Sequence, residues 1–115
     1  MAFDELELKR IDKHVGGLCR RKTRPEYREQ LEFIYEVSGH DVSIYEIRPT
    51  WQDPTDKTRM GVARFKFVRS RGEWRLYWMR RDLKWHRYAE DVSTASALEP
   101  LVRVVAEDCW GAFFG

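Results

Sequence analysis

Two cysteines, four prolines and three histidines are few for a chain of 115 residues, and each scarcity excludes something. Cys19 and Cys109 share no CxxC or metal-ligand spacing, so reduced thiols are expected rather than a disulfide framework or a zinc site. His14, His40 and His86 have no companion acids or cysteines at ligand spacing, so neither a metal nor a cofactor is implied. His14 and Cys19 fall on one expected helix at a spacing that suits no nucleophile–base dyad. GxGxxG, Walker and GxSxG patterns are absent. No apolar run approaches the roughly 18 residues of a spanning helix. The opening MAFDELELKR lacks the basic start and apolar centre of a signal peptide. The expectation is a cytoplasmic protein without a membrane partner.

What is present suits a packed globule. Hydrophobic residues make up 43% of the chain, with five tryptophans, and charged residues make up 35%. A chain of this length buries about two-thirds of its unfolded surface, enough for one core, so a single domain over 1–115 is expected. The net charge of +2 conceals segregation along the sequence. Residues 29–58 carry seven acids against two bases, whereas residues 59–88 carry ten bases against two acids. Such blocks either give the molecule two faces or cancel by pairing.

Leu8, Ile11, Val15 and Leu18 are spaced as one helical stripe, with Asp4 and Glu7 placed as a capping box. Gly16-Gly17 weakens its last turn. Leu31–Val37 and Val42–Arg48 read as a hairpin turning at Gly39-His40 in the II′ pattern, which sets Val37 against Val42 and Tyr35 against Ile44. Phe33 shares their face, with Glu46 opposite it and in need of a cation such as Arg80. Residues 49–61 read as a long connection in which Trp51 plugs the sheet edge and Asp53 and Asp56 belong to a solvated turn. Val62–Arg69 and Glu73–Arg80 make a second hairpin turning at Arg71-Gly72, and Lys84–Tyr88 makes a fifth strand. Alternation at period two separates their side chains. Phe65, Phe67, Trp74, Leu76, Trp78 and Trp85 fall inward; Arg64, Lys66, Arg75, Tyr77, Lys84, His86 and Tyr88 fall outward. Tyr77 then neighbours both His86 and Lys66. A last helix over about Ala97–Glu107 starts at Ser96, buries Leu98, Leu101, Val102 and Val105, and stops at Gly111, after which Phe113 and Phe114 dock on the core. The fold class is α+β: an antiparallel meander of about five strands, with an N-terminal and a C-terminal helix on one face.

The stretches TRPEYREQL (23–31), YEIRPTW (45–51), VRSRGEWRLYWMRRDLKWHRY (68–88) and DCWGAFFG (108–115) resemble a family of small bacterial proteins. That family is the domain of unknown function numbered three thousand and twenty-four. The similarity spans most of the chain and implies a bacterial source, with no activity or site residues attached to it.

Function is therefore read from the outward face alone. Arg64, Lys66, Arg75 and Lys84 would hold phosphates, and Tyr77, His86 and Tyr88 would stack unpaired bases, which describes a module for RNA, single-stranded DNA or another anionic partner. Two alternatives stay open. The same Tyr- and Arg-rich face suits a protein interface. His86 beside Tyr77, with Arg64 or Arg75, offers the parts of a metal-independent nuclease. Acids from residues 29–58 interleaved on this face would neutralise it.

Overall fold

The computed structural model describes residues 2–115. Helix α1 (Glu5–Ile11) opens on the expected capping box. The Asp4 carboxylate accepts the Glu7 N–H at 2.7 Å, and the Glu7 carboxylate accepts the Asp4 N–H at 3.0 Å. Helix α2 (Gly17–Lys22) follows through a widened π-type turn over Asp12–Gly16. Glycine permits that junction by its bareness rather than its flexibility. A β-carbon on Gly16 would lie 2.6 Å from Asp12 Oδ1 and 3.0 Å from the Tyr35 ring. Across this gap the Tyr35 hydroxyl donates to Asp12 Oδ1 at 2.8 Å, and Arg20 reaches the same oxygen at 3.4 Å. The pair of glycines, expected to loosen the helix end, instead lets the helix clasp the sheet.

Strands β1 (Glu32–Ser38), β2 (Asp41–Pro49), β3 (Lys57–Val68), β4 (Glu73–Met79) and β5 (Trp85–Arg87) form an antiparallel sheet in chain order. A two-residue strand, β6 (Thr94–Ala95), also pairs with β4, at Trp74 and Arg75, and it is too short for alternation to reveal. The first hairpin has the expected register, with Val37 opposite Val42 and Phe33 opposite Glu46. Gly39 alone of the two turn residues takes positive φ, +59°, as a II′ turn requires. Glu46 does meet a cation on the inner face, but it is Arg48, two residues along the same strand, and not Arg80. Arg80 lies instead over the Trp78 ring, 5.6 Å from its centroid.

The long connection is shorter than its sequence suggests, because β3 begins at Lys57 and zips against Pro49. The remaining turn, residues 50–56, is closed by Thr50 N–H to the Asp56 carbonyl at 2.9 Å. Thr55 donates to the Asp53 carboxylate through both its N–H and its hydroxyl. Trp51 plugs nothing: it is 90% exposed. The β2–β3 arm projects past the first residue of β1 and the last of β4, so among the described residues no edge lies beside the indole.

A bulge interrupts β2–β3 where Ile44 pairs with Ala63 and Tyr45 pairs with Gly61, leaving Val62 as the extra residue. Val62 and Ala63 are both buried as a result. The core lies on this side of the sheet. Val42, Ile44, Phe65 and Leu76 are fully enclosed against Ile11, Val15 and Leu18 of the N-terminal helices and Leu98, Leu101 and Val105 of α3 (Leu98–Glu107). Helix α3 has Ala97 at its N-cap without a side-chain cap bond, and Asp108 in the left-handed region (φ 46°), rather than Gly111, ends it. The Asp108 carboxylate accepts the N–H groups of Phe113 and Phe114 at 3.0 and 2.8 Å, which seats the tail and buries Phe113 as expected. No helix among the described residues is long and apolar enough to cross a membrane.

Hydrogen bonds from Tyr35 and then Arg20 hold the Asp12 carboxyl below the usual carboxylate range. A depressed folded-state value adds stability above the unfolded value and loses it as pH falls through the folded one. Asp12→Asn should therefore lower Tm slightly at neutral pH, and thermal melts should show the gap closing as pH drops below ~3.9.

Candidate functional site

Two turns decide which side chains share the outer face. The β3–β4 connection has four residues, Arg69–Gly72, closed by Gly72 at φ +59°. Arg64 consequently lies opposite Tyr77, and Lys66 opposite Arg75. Expectation placed Lys66 beside Tyr77, an error of two residues, and two residues preserve the faces. The β4–β5 connection has five residues, Arg80–Lys84, with Leu83 at φ +61°. Arg80 N–H donates to the Lys84 carbonyl at 3.2 Å, and the Asp82 carboxylate accepts the Lys84 N–H at 3.0 Å. The pairs that follow are Met79–Trp85, Trp78–His86 and Tyr77–Arg87. Here the expected register is off by one, and every face is exchanged.

Of the expected outer-face residues, Arg64, Lys66, Arg75 and Tyr77 are together on that face. The other three are elsewhere. Lys84 belongs to the turn and is exposed. His86 turns to the core side, where its Nε2 is 2.8 Å from Asp82 Oδ2, and this bond holds the Asp82 carboxyl below its usual range. Tyr88 is only 6% exposed, its ring packed against Trp78 and Phe113. Tyr77 and His86 therefore occupy opposite faces and make no acid–base pair. Trp85, expected inside, replaces them on the outer face.

Gly61 makes room for it. A β-carbon there would come within 2.8 Å of both the Trp85 ring and the Met79 methyl. The indole lies across this bare backbone and meets Tyr45 edge-on at 6.5 Å. Arg64 stacks over Trp85 at 4.6 Å and Arg59 over Tyr45 at 4.0 Å, each guanidinium covering a ring face. Arg64 also donates to Ser43 Oγ at 2.8 Å and buries that serine. An isolated glycine inside an otherwise regular strand pattern signals close approach of another group, and that signal would have found this cluster in the sequence.

Acids do interleave among the cations. Glu36 pairs with Arg59, and Glu73 with Arg75 at 2.7 Å. Lys66 Nζ lies 4.0 Å from Asp41 Oδ1, a buried oxygen with no hydrogen bond. The Arg75 guanidinium holds Glu73 below the ordinary carboxylate range. Half of the expected binding cations thus serve cross-strand or local pairs. Among the described residues, Arg80, Arg81 and Lys84 form no ion pair, so one short turn carries three unpaired cations while its own Asp82 is committed to His86. Expectation assigned Arg80 to Glu46 on the inner face and left Arg81 between two strands, so neither was counted among the binding cations.

Filling the space above Gly61 tests this packing. Gly61→Val should destabilise the fold by ~1–3 kcal/mol, as overpacking does. Combining it with Trp85→Ala should cost less than the sum of the two, measured by denaturant unfolding of all four proteins.

No curated protein and no solved structure matches this chain. A family model described as a domain of unknown function (DUF3024) matches residues 3–115, which takes in the helices, the sheet and the seated tail together. The chain belongs to the DUF3024 family.

Proposed function

We propose that this chain is a binding module for an anionic partner, single-stranded nucleic acid, held at the end of the sheet formed by Trp85 and the β4–β5 turn. The observation that carries the reading is that Arg80, Arg81 and Lys84 crowd one five-residue turn and, among the described residues, form no salt bridge, with Arg80 leaning over Trp78 on the core side of the sheet and Trp85 on the other. Phosphates recruit free cations more readily than cations already committed to acids, because a committed pair must first be broken. The Arg64 guanidinium that covers Trp85 offers a flat surface on which an unpaired base of any sequence can lie. Arg64 and Tyr77 extend this surface across the sheet, whereas Lys66 and Arg75 contribute little to it. Trp51 favours a second reading, a protein interface, since an internally bonded turn holds a 90% exposed indole away from the rest of the fold.

The test is fluorescence anisotropy of a labelled, mixed-sequence single-stranded RNA between about 50 and about 200 mM salt. The triple variant Arg80→Ala, Arg81→Ala, Lys84→Ala should reduce the slope of log K against log salt by about 2, the share of three phosphate contacts to a single strand. The double variant Lys66→Ala, Arg75→Ala should leave the slope unchanged. Absence of binding at the lower salt, or a triple variant as tight as the parent, overturns the reading.

A further inference from the structure

Between the edge strand β5 and the C-terminal tail lies an open cleft of about 740 Å³, within the size range of small-molecule sites. Its walls include Trp78, Arg80, His86, Tyr88, Glu90 and Trp110. Trp110 stands 81% exposed, although the turn carrying it is pinned on its C-terminal side by the two bonds to Asp108 and by buried Phe113. The indole is thus held at the cleft by an anchored backbone. On the opposite wall Tyr88 is 6% exposed, yet its hydroxyl has no hydrogen-bond partner among the described residues and is not sealed from solvent. A hydroxyl on so buried a ring, without a protein partner and still open to solvent, is free to bond a polar group that comes beside it.

The rim supplies both signs of charge. Among the described residues Arg80 belongs to no ion pair, and it lies over Trp78. His86 is oriented by its bond to Asp82, and Glu90 adds a carboxylate. A purely apolar ligand would leave these groups unmatched, and a simple anion would meet Arg80 but leave the Trp110 ring and Glu90 unused. A nucleobase answers all of them, because it joins a stackable ring to an edge that carries donors and acceptors, and its phosphate is anionic. An adjoining groove lined by Trp78, Met79, Arg80, Arg81 and Asp82 shares Trp78 and Arg80 with the cleft, so it leads from the basic turn to this pocket.

We propose that the cleft receives one unpaired base of a bound strand, stacked on Trp110, with its phosphate on Arg80 and its polar edge facing the Tyr88 hydroxyl and Glu90. This subsite rests on the single-stranded nucleic-acid reading and names where one nucleotide of the strand is read. Two titrations separate the claims: AMP, CMP, GMP and UMP followed by intrinsic tryptophan fluorescence, and labelled single-stranded RNA followed by anisotropy. At least one mononucleotide should quench saturably. Trp110→Ala should weaken it by about tenfold or more, the scale of a lost stacking partner, and Tyr88→Phe by about threefold or more, the scale of a lost hydrogen bond. Inorganic phosphate at the same concentration should not displace it. No saturable quench, a Trp110→Ala protein as tight as the parent, or full displacement by phosphate overturns the base assignment. RNA binding that is blind to Trp110→Ala removes the cleft and leaves the strand reading standing. Trp110-dependent mononucleotide binding without RNA binding does the reverse.

Discussion

Trp85 lies across Gly61 with its ring where a β-carbon would come within 2.8 Å, and the outer face is organised around that contact. Tyr45 meets the indole edge-on, and Arg64 and Arg59 cap the two rings. The neighbouring bulge at Val62 turns both Val62 and Ala63 to the core while Gly61 stays outside, so a bare patch appears on one face without a hole on the other. A larger side chain at 61 would lift the indole, and with it the stacked cations. The surface available to a partner is thus fixed by the steric emptiness of one residue.

The inward stripe of β2, β3 and β4 was legible because alternation survives any even error in register. Phe65 and Leu76 remained inside although the second hairpin pairs two residues away from its expected position. The helix stripes were legible for the same kind of reason: Ile11, Val15, Leu18, Leu101 and Val105 repeat at helical spacing, and tertiary packing uses that spacing unchanged. β5 was not legible. Its three residues provide too little alternation to choose a face, and either choice buries an aromatic: Trp85 in one register, Tyr88 in the other. The number of residues in the connection made the choice, and the left-handed Leu83 on which its geometry depends has no glycine to announce it. Trp51 was misplaced because a strand continued through the exposed residues 57–60, where composition suggested loop.

Charge was the least transferable quantity. The acidic block 29–58 and the basic block 59–88 look like opposite poles in the sequence, but β2 and β3 are antiparallel neighbours, and the ladder brings Asp41 to Lys66. Glu36, one strand farther out, reaches across to Arg59. Surface pairs of this kind add little stability. Their larger effect is on the field, since they cancel part of the positive potential that composition promised for the outer face.

The five-residue span from Arg80 to Lys84 has a consequence for how such chains can diverge. Insertion or deletion of two residues there would change the overhang of the hairpin and keep its inside and outside. Loss of one would swing Trp85 into the interior and evict Tyr88, converting one molecular surface into another without a single substitution. Length variation at this point should therefore come in pairs, and an odd step would mark a descendant with a different outer surface.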